Sequence, residues 1–172
     1  MIKDVWTNFY QKHRKPIIIG LGITMAVVTS LVLRPCVRSG RVNGDSMNPT
    51  MMDGDLFFFR EKKEYKRGDI IVFVPPDDAV MEGEDGATFI KRVIAIEGEH
   101  IKIEGNILYI NGQKVEEPYI TESFEADIDM TVPKGQIFVL GDNRNVSRDS
   151  RHYGTIETDT VLGTVYRFCL RK

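Results

Sequence analysis

The strongest constraint on this chain is an unbroken run without charge over residues 16–33, 18 residues long (33 − 16 + 1), in which Thr24, Thr29 and Ser30 are the only hydroxyl side chains. A bilayer offers no water to backbone N–H and C=O groups, so a run of this kind must be helical there, and about 18 residues is the lower limit for a span. It exceeds the ~7–15 residues of a signal-peptide core. The residues behind it, Leu33-Arg34-Pro35-Cys36, give no small-x-small cleavage site and none of the small residues that lipid attachment at a cysteine requires. No polar stripe at helical spacing turns one side of the run to water, as a helix packed on a core would show. The sequence therefore predicts an uncleaved, single-pass transmembrane anchor over 16–33 between a basic tail over 1–15 and a domain over 34–172, an arrangement that permits the tail on the cytoplasmic side and the domain on the extracytoplasmic side. The tail carries Lys3, Lys12, Arg14 and Lys15 against Asp4, while Arg34, Arg38 and Arg41 follow the span. Four cations against three orient the anchor only slightly, and charge alone leaves its direction open, because large domains translocate largely regardless of it.

Behind the anchor the apolar residues fall into short runs bounded by Gly, Asn, Asp and Pro. Residues 56–59 and 70–74 are two such runs, and 88–97 is a longer β-rich one with Lys91 and Arg92 at its middle. Residues 101–104 and 107–110 flank Gly105-Asn106 as a hairpin, Asn111-Gly112 is a second tight-turn signal, and 129–132, 136–140 and 161–170 read as further strands. No long helical period follows Leu33. These patterns predict an all-β ectodomain of antiparallel sheets, sandwich or barrel-like, on one N-terminal transmembrane helix. Residues 75–86, with Asp77, Asp78, Glu82, Glu84 and Asp85, read as an exposed loop. Lys plus Arg total 23 against 25 Asp plus Glu, a net charge of -2, so the basic surplus of a nucleic-acid binder is missing. The two cysteines, Cys36 and Cys169, match neither a zinc spacing nor a disulfide framework, and no metal site is expected on them.

Two places break the local pattern, and such places tend to carry function. One is the turn-rich segment Gly44-Asp45-Ser46-Met47-Asn48-Pro49-Thr50, thirteen residues past the span (46 − 33). A serine between Gly and Pro is most often an ordinary loop residue. The other is Lys91, set between Phe89-Ile90 and Val93-Ile94, where either face of a strand is apolar; the bland reading is a lysine whose stem packs while its head reaches water. Arg92 has the same bland reading and, being always protonated, no role as a base. Taken together they make a chemical proposal. A serine hydroxyl becomes a nucleophile when a base takes its proton, and burial disfavours an ammonium enough to make lysine that base. Histidine is the competing base. His13 lies in the basic tail, His100 in a turn between strands and His152 in a polar segment, so a Ser46–His152 pair stays as the alternative.

The segments resemble, box by box, the bacterial type I signal peptidases, membrane-bound serine endopeptidases with a Ser-Lys dyad. Gly44-Asp45-Ser46-Met47-Asn48-Pro49-Thr50-Met51 resembles the nucleophile box, Arg67-Gly68-Asp69-Ile70-Ile71-Val72-Phe73 a structural strand, and Ile90-Lys91-Arg92-Val93-Ile94-Ala95 the box of the base. Tyr109-Ile110-Asn111-Gly112-Gln113-Lys114-Val115 is similar to a fourth segment, and Gly141-Asp142-Asn143-Arg144-Asn145-Val146-Ser147-Arg148-Asp149-Ser150-Arg151 to the last. The resemblance implies a signal-peptidase-like β fold, Ser46 as nucleophile, Lys91 as general base, Ser147 as a hydroxyl hydrogen-bonded to the lysine amine, and Asp142, Arg144, Asp149 and Arg151 as holders of the loop. It implies an oxyanion hole at Ser46 and Gly44. Some members place a hydroxyl where Gly44 stands, and a glycine can donate only through its backbone. It further implies signal-peptide-bearing preproteins as substrates, small residues at the first and third positions before the cut bond, and no metal or other cofactor. Membrane lipid is the second expected partner, since thirteen residues reach at most roughly 43–47 Å. Met47, Met51, Met52 and 57–59 read either as a surface resting on lipid or as core, with core favoured for the three phenylalanines. Two other readings remain: a non-catalytic signal-peptidase-like assembly factor, which would have lost the dyad, and a self-cleaving Ser-Lys regulator, which would need a DNA-binding module in place of the anchor.

Overall fold

The structure, a computed structural model, describes residues 23–25, 38–62, 64–80 and 86–169. The expected tail and most of the expected anchor lie outside the described residues; Ile23–Met25 are helical, and among the described residues no helix is long and apolar enough to cross a membrane. The chain divides into two units at Val37 and Arg38, and the second carries the β structure.

Its strands are β1 (Arg38–Arg41), β2 (Leu56–Arg60), β3 (Ile70–Phe73), β4 (Phe89–Ile96), β5 (His100–Gly105), β6 (Ile107–Ile110), β7 (Gln113–Lys114), β8 (Ala126–Thr131), β9 (Gln136–Leu140), β10 (Ile156–Glu157) and β11 (Val161–Cys169), with one short helix, α1 (Ser150–Tyr153). They form a seven-stranded sheet in the order β1-β2-β11-β3-β4-β9-β10 and a four-stranded sheet in the order β7-β6-β5-β8, all pairs antiparallel. The long apolar runs became the inner strands β2, β3, β4, β9 and β11. The expected hairpin is present with Glu104 opposite Ile107. Gly105 supplies the positive φ of 63° at its first turn position, and Asn111 and Gly112, at 51° and 75°, make the second turn. His100, expected in a turn, begins β5 because its N–H is taken by the Asn111 side chain and its ring Nε2 lies 2.8 Å from Asp129 Oδ1.

Three apolar clusters tie the elements together. Ile94, Ala95, Phe138 and Leu140 of the large sheet pack with Ile101, Ile103, Leu108 and Ile110 of the small one. Ile71, Phe73, Val93, Ile137 and Val139 form a second cluster with Ile156 and Val161. The third, Val42, Met47, Met51, Phe57, Phe59 and Val72, lies under the turn that holds Ser46. Met47 and Met51 are fully buried and so belong to the core as anchors of the turn, while Met52 is half exposed. Within the expected loop 75–86, Pro75 and Ala79 are buried and Asp77 and Gly86 exposed, Asp77–Ala79 form a single 3-10 turn, and 81–85 lie outside the described residues.

Pairing along β4 is lopsided. Phe89, Ile90 and Lys91 pair with β3 on one side, while the ladder to β9 begins only at Arg92, opposite Leu140. Among the described residues, no strand lies next to the β9-facing edge of Phe89–Lys91.

Candidate active site

The turn carrying Ser46 is built from its own backbone. Asn48 N–H donates to Asp45 O at 3.1 Å and Met51 N–H to Met47 O at 2.9 Å, with the two buried methionine side chains as roots. Ser46 O accepts from Asn143 N–H at 3.0 Å, which joins the turn to the loop following β9. Gly44 takes a φ of 87°, open to a residue without Cβ at little cost. Its N–H donates to Asp53 Oδ1 at 2.9 Å. The N–H of Gly44, expected at the oxyanion hole, is thus engaged by a carboxylate of its own turn. The Ser46 N–H donates to no group among the described residues.

Lys91 sits on β4 with 4% of its surface exposed. Its Nζ donates to Ser46 Oγ at 2.8 Å and to Ile90 O at 3.1 Å, and lies 5.4 Å from the Phe89 ring centre. Burial lowers its pKa from 10.5 to about 8, against the charges of Asp149 and Asp142, which favour the ammonium. The two residues that broke the sequence pattern, 45 positions apart, thus meet as a hydroxyl and an amine readily neutralised near pH 8. Neither His100 nor His152 bonds Ser46. His152 instead caps α1, its Nδ1 accepting from Asp149 N–H at 3.3 Å, and His13 lies outside the described residues.

The loop between β9 and α1 is closed by buried charge. Asp149, the N-cap of α1, accepts from Gly141 N–H at 3.0 Å and from Arg151 Nε at 2.8 Å. Arg151 Nη2 also donates to Arg144 O at 2.7 Å, and Arg144 Nε to Gly141 O at 3.0 Å. Ser150 Oγ takes up Val139 N–H at 3.0 Å. Arg144, Asp149 and Arg151 are thus linked around Gly141, while Asp142 bonds Arg92 of β4. Ser147 is buried beside them, yet its Oγ has no hydrogen-bond partner. The expected bond from Ser147 to the lysine is not made, since Nζ is directed to Ser46 and Ile90. A Cβ on Gly141 would lie within 2.5 Å of both Ser147 Cβ and Ser46 O, so glycine is what allows the loop to approach the serine turn.

Sequence reasoning underrated Arg92. Its Nε and Nη2 form a two-pronged bond to Asp142 at 2.8 and 2.5 Å, Nη1 donates to Gly68 O at 3.1 Å, and Nη2 reaches Thr50 Oγ1 at 3.3 Å. Glu117, not singled out at all, receives both Nη atoms of Arg144 at 2.6 and 3.2 Å. Nothing in the polar run Glu116-Glu117-Pro118 marks one acid as buried, so no sequence signal could have found it.

A cleft of about 260 Å³ opens at the dyad, lined by Ser46, Lys91, Val42, Phe57, Ala79 and Ile90, with Arg41 and Arg148 also bordering it. A cavity of about 340 Å³, lined by Leu108, Ile120 and Phe124 among others, includes neither Ser46 nor Lys91. Among the described residues no three His, Cys, Asp or Glu side chains converge as metal ligands would.

The family described as signal peptidase, peptidase S26, matches residues 14–169. A probable signal peptidase I-1 of Synechocystis is 40% identical over 155 residues, covering 85% of this chain and 79% of that protein. A signal peptidase I of Bacillus licheniformis is 37% identical over 159 residues, covering 83% and 82% respectively. The crystal structure of a signal peptidase I from Enterococcus faecalis matches with a TM-score of 0.51 and 33% identity, over 60% of this chain and 98% of that one.

Proposed function

The chain belongs to the signal peptidase family, peptidase S26, and is a serine endopeptidase of the signal peptidase I type; from that premise we propose that Ser46 and Lys91 are its catalytic pair. The observation that carries this is the 2.8 Å contact between Lys91 Nζ and Ser46 Oγ at a lysine 4% exposed. In the neutral amine the bond reverses: the hydroxyl donates to the nitrogen lone pair and gives up its proton as Oγ attacks the scissile carbonyl. The unspent Ser46 N–H stabilises the oxyanion, a donor of a kind worth about 2.7–4 kcal/mol. Lys91 then protonates the departing amine, and water releases the acyl group from Ser46. Ser147 Oγ, buried without a partner, becomes a partner of the lysine when Nζ turns from Ser46 during this cycle, while Asp142, Arg144, Asp149 and Arg151 hold its loop.

The substrates are preproteins carrying signal peptides. The free edge of Phe89–Lys91 suits an extended peptide, whose backbone would add to β4 beside the serine. The cleft's Val42, Phe57, Ala79 and Ile90 walls suit small apolar side chains before the cut bond. A single-pass anchor over 16–33 accords with the uncharged run; the catalytic unit then works on the outer face of the cytoplasmic membrane, close to lipid, where signal-peptide-bearing preproteins emerge. No cofactor is required by this chemistry. Ser46→Ala and Lys91→Ala should each abolish cleavage of a labelled preprotein, and Lys91→Arg should not restore it because guanidinium keeps its proton. Robust turnover by Lys91→Arg overturns the assignment.

A further inference from the structure

Between β7 and β8 the small sheet sends out a segment that closes over the cations of the catalytic sheet. Tyr119 lays its ring against the Arg92 guanidinium, 4.0 Å from Cζ to ring centre. Its hydroxyl donates to Glu117 Oε1 at 2.7 Å, and Glu117 is itself bonded to Arg144. Phe124, 5% exposed, faces Arg144 at 4.7 Å and Arg151 at 5.9 Å. Arg92 of β4, Arg144 of the loop after β9 and Arg151 of α1 are thus covered by two rings of the segment between β7 and β8.

Arg92 matters most among them. It follows Lys91 directly and bonds the Ser46 turn at Thr50, the turn before β3 at Gly68 and the loop after β9 at Asp142. The bonds to Asp142, Gly68 and Thr50 run from the in-plane N–H groups and leave the faces of the guanidinium open; a ring on one face, where the Arg92 side chain is 11% exposed, limits its tilt and excludes the solvent that would compete for the carboxylate.

We propose that Tyr119 is a positioning residue for the peptidase reaction, acting through the Arg92–Asp142 clamp to fix the spacing between the Ser46 turn and the Ser147 loop. The four-stranded sheet then has a catalytic purpose, since it supplies this lid without touching substrate. The proposal rests on the reading of Ser46 and Lys91 as nucleophile and base. Small misplacements of such groups cost rate far more than affinity, up to about a hundredfold for roughly 1 Å.

The test uses the full-length protein in detergent with a peptide spanning a cleavage site. Tyr119→Phe keeps the ring and should stay within about threefold of the parent. Tyr119→Leu and Tyr119→Gln remove it and should lower kcat about tenfold or more, with KM changed less than about twofold and the thermal midpoint recorded beside each. Arg92→Lys loses the planar fork and should fall similarly, and Arg92→Lys combined with Tyr119→Leu should fall no further, because both act through one clamp. Folded ring-less variants with parental kcat overturn the proposal, as do additive losses in the double variant or a KM rise in place of a kcat loss. Failure of both ring-less variants to fold makes the ring purely structural and also overturns it. Turnover retained by Ser46→Ala in the same assay would instead sink the dyad reading, a distinct result.

Discussion

A lysine amine acts as a base only after it has lost its proton, and at Lys91 burial moves that loss from 10.5 down to about 8. The first expectation is kinetic: kcat/KM should rise with pH through about 8 and level off above it, and a rate governed by a group near 6.5 and lost in His152→Ala would transfer the role to histidine. The second is thermodynamic. Between about 8 and 10.5 the unfolded chain keeps a proton on this lysine that the folded chain has released, so stability rises with pH across that window and the cost of the buried ammonium is constant below it. That cost is roughly 3 kcal/mol at about 1.36 kcal/mol per pH unit. Lys91→Met should therefore be more stable than the parent at pH 6 by up to about 3 kcal/mol, less the lost hydrogen bonds, with a smaller gain at pH 10. Denaturant unfolding at the two pH values measures this, and a variant destabilised at pH 6 contradicts it. Lys91 was legible because apolar neighbours flank it in sequence. Arg92 was misread as a side chain reaching for water because its partners, Gly68, Thr50 and Asp142, lie 24, 42 and 50 residues away and no local pattern records them.

At the level of elements, the serine turn and the loop after β9 are held together across a gap that only glycine permits. Gly141→Ala should lower kcat at least tenfold, since its Cβ would press on Ser46 O at 2.5 Å and force one of the two segments away; near-parental turnover would show that the loop yields without consequence. Met47→Ala removes a fully buried root of the turn and should cost about 2–5 kcal/mol, read by chemical denaturation. The inner strands were readable because apolar runs and Asn-Gly or Gly-Asn turns carry their own signal. Strands β1, β7 and β10 were not. Arg-Ser-Gly-Arg of β1 has no alternation, and it is a strand because the Phe57 ring needs the space over Gly40, where a Cβ would come within 2.5 Å of the ring. Edge pairs of two residues such as Gln113–Lys114 and Ile156–Glu157 take their conformation from the partner strand. The bond from Gly44 N–H to Asp53 was not legible for a similar reason, since nothing in the sequence marks Asp53 as its partner.

For the molecule as a whole, the division at Val37 separates the eleven strands found among the described residues from the proposed anchor. A protein starting at Arg34 should therefore fold, cleave a soluble peptide with the parental pH profile, and lose its advantage on a membrane-embedded preprotein; comparing the two substrates checks this, and an unfolded fragment would show that the first unit belongs to the core. The uncovered edge of Phe89–Lys91 also bears on what the enzyme can cut. If substrate adds to β4 there, as proposed, that edge would accept only a chain whose own backbone groups are still unspent. A junction already wound into a helix, or enlisted in the sheet of its passenger, has none to give, whatever its side chains. Release then becomes a race against the passenger's own folding, in which slow folders are set free and a passenger that locks its first residues early stays moored to the membrane.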